Sequence, residues 1–421
     1  MVQEFRSHLI QNFRELVDAK NLLAISGGVD SVVAAYLLKQ AGLSFEMAHC
    51  NFQLRDQESD KDEYFVKDLG LELEVPVHSI RFDTEKYAEN NKLSTQVAAR
   101  ELRYTWFDQL QKEHGFDFLI TAHHLDDSLE TFLINFSRGT GIDGLLGIPT
   151  KQSWIRRPLS IFSRKQIEQL AEENNIEWRE DLSNQSDKYV RNKIRHQIIP
   201  KLKEINPSLA QSFSSTLNHL SHTKELSDAY IALQRKALCK PHPNYTDLSL
   251  FEISGILDNA PLLYGLFNDY GFHNVKDLLN LCQAQSGKFL ENDKYRLLKD
   301  REYLILENKS KGYTTPEYQI HVGDDTSSDS GLSVSLTKDL LNEALTVRKW
   351  ENGDYFYPED LPGKKKLSAY FRDQKFSIID KERVQLLCHG TNILWIIGDR
   401  RDKRYISAHK NDQIRITLIQ K

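Results

Sequence analysis

Residues 21–31, NLLAISGGVDS, constrain this chain more than any other stretch. Leu22, Leu23, Ala24 and Ile25 make a short apolar run that reads as a buried strand. Ser26-Gly27-Gly28 follows as a turn with little side-chain bulk. Asp30 and Ser31 then open a periodic segment, Val32, Val33, Tyr36 and Leu37, that reads as a helix. A strand turning through glycines into a helix N-terminus presents free backbone N–H groups and a positive dipole end to an anion. The two serine hydroxyls add donors, and Asp30 is placed to hold the Mg²⁺ that accompanies a phosphate chain. The pattern GxxxxGKS/T is absent, so this is not the common P-loop and it lacks that loop's lysine. An ordinary capped turn would explain a bare Ser-Gly-Gly. The strand before, the helix after and the acid at this offset favour phosphate binding.

Downstream, strand and helix patterns alternate. A helical face (Phe5, Leu9, Phe13, Leu16, Val17) precedes the phosphate strand, and residues 45–49 read as a second strand. An acidic helix over 58–68, a third strand over 73–80, a long helix over 95–114 and a fourth strand over 117–122 follow. This alternation predicts an α/β fold, a doubly wound parallel sheet with ligands at the carboxyl ends of its strands. The phosphate loop, His49 and a His-Asp cluster all fall at such ends. Helices over 163–174 and 189–202, a long helix from 206 to about 239 and a hairpin over 288–307 suggest a mostly helical middle domain. Residues 310–335 are mostly polar, carry DDTSSDS, and read as a linker. The remainder reads as a small α+β domain.

Net charge is −5 over 421 residues, so no global field announces a nucleic-acid partner. The four cysteines form no CxxC pair, which argues against a disulfide framework, a zinc ribbon or an iron–sulfur cluster. The N-terminus shows no apolar signal core and no run reaches membrane-spanning length, so a cytoplasmic location is expected.

HHLDDSLET (123–131) is the second informative stretch. Asp126, Asp127 and Glu130 share one helical face beside two histidines, which is more acid than capping needs. The cluster suits Mg²⁺ or a cationic substrate; a transition-metal reading of the His and Asp spacing has no further ligand nearby. Arg100 and Arg103, three apart on the long helix, are either surface charges or a phosphate clamp. Residues 137–147, with Arg138 and four glycines, read as a lid or a close backbone contact to substrate. Acid-free basic runs hold Arg156, Arg157, Arg164 and Lys165, then Lys188, Arg191, Lys193 and Arg195. The tail adds Lys364, Lys365, Lys366, Arg400, Arg401, Lys403 and Arg404 among Tyr355, Phe356, Tyr357 and Tyr370. Basic residues interleaved with aromatics suit single-stranded or looped RNA.

SGGVDS resembles the pyrophosphate loop of the N-type ATP pyrophosphatases. With HCNFQLR (49–55), AARELRY, HHLDDSLET, SRGTGIDGLLGI, RRPL, the segment from EDLSN to RNKIRHQIIPKL, SGKFL and the tail's VRKWENGDYF and IIGDRRDKRYI, the chain resembles the tRNA(Ile)-lysidine synthetases over nearly its whole length. Two positions depart from that family's pattern: Phe52 stands where a second histidine is common, and Ser128 where glutamine is usual.

The resemblance implies an adenine nucleotide α-hydrolase-like PP-loop catalytic domain over 1–205, a tRNA-binding middle domain over 206–309 and a basic tRNA-binding domain over 336–421. It implies ATP as substrate with Mg²⁺, free L-lysine, and tRNA(Ile) with a CAU anticodon, whose wobble cytidine is adenylated at C2 and then attacked by lysine. ATP would meet Ser26, Gly27, Gly28, Val29, Asp30, Ser31, His49 and Arg100, and Mg²⁺ would meet Asp30 and Asp127. Asp127 and Glu130 would receive the lysine ammonium and its proton, with Asp126 as support and Asp30 as a further catalytic acid. Arg103, Arg138, Arg157, Arg191, Arg195, Lys365, Arg400 and Arg404 would meet tRNA. Another PP-loop enzyme, a tRNA thiolase or small-molecule amide synthetase, is the first alternative, and a non-catalytic RNA-binding protein of the same fold is the second. A homodimer is left open.

Overall fold

A computed structural model describes every residue except 56, 180–189, 243–244, 312–315, 324–331, 341–342, 408, 410–411 and 421. The EDLSN motif and the DDTSSDS stretch lie outside the described residues. The chain divides into two compact units, Met1–Ser227 and Asp228–Lys421.

The first unit runs α1 (Val2–Asn12), β1 (Asn21–Ala24), α2 (Val29–Gln40), β2 (Phe45–Asn51), α3 (Gln57–Leu73), β3 (Val77–Arg81), α4 (Thr84–Asn91), α5 (Thr95–His114), β4 (Phe118–Ile120) and α6 (Leu125–Arg138). It continues with α7 (Ile142–Leu145), β5 (Lys151–Gln152), β6 (Ile155–Arg156), α8 (Arg164–Glu173), α9 (Val190–Lys193), α10 (Ile199–Ile205) and α11 (Leu209–Leu238), the last reaching into the second unit. The strands form one sheet in the order β3-β2-β1-β4-β6-β5, all parallel but for the short antiparallel β5. Order reverses at β1, which pairs with β2 on one side and, about a hundred residues further along the chain, with β4 on the other. Such a reversal opens a crevice beyond the carboxyl ends of the strands.

Burial explains why β1 is central. Leu22, Leu23, Val32, Val33 and Leu38 are fully buried, so strand and following helix are apolar on every side but one end. Asn21 is also buried and donates from its amide to the Leu16 and Ser44 carbonyls at 2.9 Å, tying down the start of the strand. Gly27 turns the chain at φ +91°, a conformation that costs a side-chain-bearing residue strain.

Between α9 and α10 the helix widens to π geometry over Ile194–Ile198. Pro200, in the first turn of α10, offers no N–H to the carbonyl four residues back, and its ring crowds that carbonyl.

In the second unit, the strands β7 (Cys239–Pro241), β8 (Tyr245–Ser249), β9 (Phe289–Glu291), β10 (Tyr295–Asp300) and β11 (Tyr303–Asn308) form a sheet in the order β7-β8-β11-β10-β9. The expected hairpin over 288–307 is therefore the centre of a larger sheet. Helices Ala260–Phe267 and Val275–Gln283 pack Leu262, Leu263, Leu266, Leu278 and Leu281 into one core with Leu297 and Leu304. The C-terminal region is β-rich.

Part of the expected 310–335 linker is strand. Tyr318–Gly323 and the start of Leu332–Thr337 flank the strand Gln413–Gln420. The polar composition hid an alternation that buries Val334 and Leu336 against Ile414 and Ile416.

Candidate active site

A cleft of about 560 Å³ opens at the carboxyl ends of β1, β2 and β4. Its wall includes Ser26, Gly28, Val29, Asp30 and Ser31 from the first turn, Thr121, His123 and Asp127 after β4, and Arg103 and Tyr104 of α5. The phosphate loop and the His-Asp cluster thus share one crevice.

The loop is held by its own hydroxyls. Ser31 Oγ donates to the Gly28 carbonyl at 2.9 Å and accepts the Ser26 N–H at 3.2 Å. Gly28 is the N-cap of α2 and has no side chain to cap it. The Ser31 N–H donates to the Gly28 carbonyl at 3.1 Å, and the N–H groups of Val29 and Asp30 are left to an anion in the cleft.

The opposite wall is set by an unusual cap. His124 is the N-cap of α6: its Nδ1 accepts the Asp127 N–H at 3.3 Å, while Asp127 Oδ2 accepts the His124 N–H at 3.0 Å. In the neutral ring the proton then resides on Nε2, which lies 3.6 Å from Asp30 Oδ1 and 3.5 Å from Asp127 Oδ2. His124 therefore stands between two carboxylates from different strand ends. Burial raises the pKa of Asp30, aided by the charge of Asp127 and opposed by His124 and Arg164. Burial pushes Asp127 the same way, but His124, His123 and the cap hydrogen bond outweigh it and hold its pKa below the usual range. Burial drives His123 down to about 4, so its ring is neutral at physiological pH.

Asp30 Oδ1 is buried without a hydrogen-bond partner, and with Asp127 it offers hard oxygen ligands. Among the described residues no group of three or more His, Cys, Asp or Glu could enclose a metal alone. Two carboxylates without a full protein cage fit Mg²⁺, which keeps waters and takes further oxygens from phosphate.

Several expected site residues stand elsewhere. Glu130 is fully buried: Arg191 Nε donates to Oε2 at 2.6 Å, and Arg195 donates to Oε1 at 2.5 Å and Oε2 at 3.1 Å. With both oxygens engaged by guanidinium groups, Glu130 does not face a substrate ammonium in this conformation. Arg191 and Arg195, expected on tRNA, are its partners. Asp126 is also committed: Oδ2 accepts the Arg164 N–H at 2.8 Å at the start of α8, and Oδ1 lies 3.3 Å from Lys203 Nζ. Arg157 is 4 % exposed and donates to the Pro149 carbonyl at 2.6 Å, so it is a packing residue rather than an RNA contact.

His49 does not line the cleft. It is buried, with Nδ1 3.0 Å from the Ile25 carbonyl at the end of β1, and burial lowers its pKa. Arg100 lies 4.7 Å over the Tyr104 ring at an exposed position, outside the cleft wall. Arg103 lies 5.1 Å over the Phe52 ring. Arg138 is exposed at the end of α6. In the second unit Lys365 pairs with Asp373 at 2.8 Å and Arg400 with Asp360 at 2.9 Å. Arg404 is held by the fully buried Asp402 and lies 4.3 Å over Tyr357. Ser128, the other departure, is buried beneath the Gly147 turn, where a Cβ on the glycine would approach within 3.0 Å.

The sequence reading missed four charged contributors to the wall. Arg164 belongs to a basic run but donates to Asp30 at 2.5 Å. Arg55, Asp62 and Arg179 line the cleft from other segments, and only Arg55 stands in a quoted motif. Asp62 lies in an acidic helix that reads as solvated, and its seven per cent exposure has no local signature.

A parallel sheet whose glycine turn at the reversal point brings Asp30 into one crevice with Asp127 is an arrangement suited to a phosphate-bearing nucleotide. Comparison agrees: a family model described as PP-loop domain matches residues 1–202, and one described as TilS substrate binding domain matches 243–309. A tRNA(Ile)-lysidine synthase from Bacteroides thetaiotaomicron is 38% identical over 409 residues, covering 93% of each chain. One from Parabacteroides distasonis is 38% identical over 417 residues, covering 94% of each. Among solved structures, the U34-tRNA thiolase NcsA of Methanococcus maripaludis matches at 20% identity with a TM-score of 0.44, covering 52% of this chain and 79% of that one. The chain belongs to the tRNA(Ile)-lysidine synthase family.

Proposed function

We propose that this protein ligates free lysine to C2 of the wobble cytidine in tRNA(Ile) bearing CAU, through an adenylated RNA. The observation that carries the reading is the placement of Asp30 and Asp127 on either side of His124, at the mouth of the phosphate loop. One crevice can then hold the departing pyrophosphate and the carbon under attack. The names of the relatives, over nearly their full length, supply the substrates.

A pyrimidine carbonyl oxygen leaves poorly, whereas as an AMP ester it leaves readily. The α2 N-terminus and Ser26 receive the phosphates, Ser31 holds the turn that presents them, and Arg103 on the cleft wall would meet the nucleotide or the RNA. Mg²⁺ held by Asp30 and Asp127 would offset charge on the phosphate oxygens. Lysine must attack as the neutral amine, and from a reference pKa of about 10.4 its deprotonation at pH 7 costs roughly 4–5 kcal/mol. Asp127 is the acid of the α6 cluster that faces the cleft, and in the lysine half of the reaction, after pyrophosphate has departed, we assign it the ammonium and its proton. Glu130 acts behind it, holding Arg191 and Arg195, which lie within 3.8 Å and 3.6 Å of Asp127 Oδ1. The exposed bases of the second unit, with Tyr355 and Tyr357, suit contacts to RNA phosphates and unpaired bases. No helix among the described residues is long and apolar enough to cross a membrane, and a cytoplasmic site of action fits a tRNA substrate.

Cys50 bears on the thiolase alternative. It lines the cleft, but burial pushes its thiol up to about 12, leaving it protonated and a poor sulfur carrier. The deciding experiment measures pyrophosphate release from ATP and Mg²⁺ with tRNA(Ile) bearing CAU, with and without labelled lysine. Release that requires this tRNA, with label ending in RNA, is the expected result. Pyrophosphate formed without RNA, or lysine never incorporated, overturns the substrate assignment.

A further inference from the structure

The basic residues of the second unit that the sequence places on tRNA are already paired with acids: Lys365 with Asp373, Arg400 with Asp360 and Arg404 with Asp402. A different pair of cations stands beside an open hollow of about 560 Å³, lined by Lys349, Trp350, Ile378, Lys381 and Glu382. Strand pairing brings these residues together. The strand Leu345–Lys349 has Lys349 opposite Gln385 as its last rung, and the helix Ile378–Arg383 leads into that partner strand. Trp350 thus emerges beside the helix, and its Nε1 donates to the Lys381 carbonyl at 2.6 Å. Its ring also meets Phe371 edge to face, with centroids 5.2 Å apart. The indole is therefore held in one orientation.

We propose that this hollow takes an unpaired nucleotide of the tRNA, with its base against Trp350 and its phosphates against Lys349 and Lys381. The inference rests on the reading that the chain acts on tRNA. Neither lysine makes an ion pair among the described residues, so both ammonium groups remain available to an anion. Glu382, the one acid on the wall, is gripped by Arg296 through Nη2 at 2.7 Å and Nη1 at 3.3 Å. The lining therefore carries an excess of positive charge. A fixed aromatic ring beside cations suits a base and its backbone, because every base has a π face and an ordered ring loses little freedom on stacking. Paired RNA keeps its bases within the helix stack, so the occupant is a loop or an end. An acidic peptide would satisfy the lysines without using the indole.

The test uses the full chain and a tRNA(Ile) transcript bearing CAU, with affinity measured across a series of salt concentrations. Lys349→Gln/Lys381→Gln should weaken the transcript about tenfold or more and lower the slope of log affinity against log salt by about one to two. Trp350→Leu should weaken it about as much with the slope unchanged, and Trp350→Phe should restore much of the loss. Affinity for ATP should be unchanged in all three. Trp350 also packs on Phe371, so photo-crosslinking of the wild-type chain to the transcript supplies a reading without any substitution. The peptide holding Trp350 should then carry a nucleotide. Unchanged affinity and slope in the lysine pair, or a Trp350 peptide without a nucleotide, overturns the inference. An ATP affinity that falls in parallel does so too, since hollow and cleft lie in different units. Polyglutamate that displaces the transcript as well as a short single-stranded RNA does would assign the hollow to an acidic protein instead. A wild-type chain that does not bind the transcript at all overturns the tRNA reading as well.

Discussion

Arg195 grips Glu130 with both sides of its fork, Nε on Oε1 at 2.5 Å and Nη2 on Oε2 at 3.1 Å, while Arg191 takes Oε2 from the neighbouring turn. One buried carboxylate therefore fixes two cations beside Asp127. A pair of this kind is worth little against an apolar replacement, but breaking it from one side strands the other.

Glu130→Ala removes the anion and leaves two guanidinium groups without it. A loss of about 2–3 kcal/mol in urea unfolding is expected, below the figure for fully buried pairs because both arginines are about a third exposed. Lysine transfer should fall more than pyrophosphate release. Equal loss of both steps would remove Glu130 from the lysine half of the reaction.

Asp30→Asn keeps the size of the side chain and removes its charge. Arg164 and His124 then lose their shared anion, and Mg²⁺ loses a ligand. Pyrophosphate release should drop by about 10²-fold or more. Titration with Mg²⁺ should show half-maximal release moved to higher Mg²⁺ concentration, and an unchanged Mg²⁺ dependence would separate Asp30 from the metal.

His123 supplies a pH signature. Its folded pKa is about 4, against an ordinary value near 6.5, because burial penalises the imidazolium. The unfolded chain therefore binds the proton first as pH falls. Its stabilising effect is complete above about pH 6.5 and declines between there and pH 4. Unfolding midpoints across that window should slope more steeply for wild type than for His123→Asn, and parallel slopes would refute the assignment.

The two glycines of the phosphate turn differ. Gly27 sits at φ +91°, with a Cβ 3.5 Å from the Phe65 ring, so Gly27→Ala costs mainly backbone strain of about 1–2 kcal/mol. Gly28 has an ordinary φ of −74°, and Gly28→Ala should cost only the N-cap preference of glycine over alanine, about 0.5–1 kcal/mol. Thermal melts of the two variants check the contrast.

What the sequence made legible follows from these particulars. Leu22 to Ile25, the glycine turn and the helix after it are local signals, and the structure has them at nearly the expected positions. The meeting of Asp30 with Asp127 follows from strand alternation and the crossover rule, which place successive loops at one rim. Pairings across that rim were not legible. Nothing in HHLDDSLET says that His124 caps the helix, or that Glu130 points inward to arginines sixty residues later. The same limit hid Asp62, whose burial depends on Arg179, more than a hundred residues away. Arg157 looks like part of a basic run, and only the fold turns it inward.

The candidate site lies at one rim of the sheet, so the turns at the other rim are available for engineering. Gly42, before β2, and Gly115, before β4, have φ of +77° and +69°, and a side chain there would meet nothing within 4 Å. A fluorophore or a short peptide tag inserted beside either turn would be carried by the catalytic sheet without touching its working end. Such handles would let tRNA docking be timed in a fully active protein.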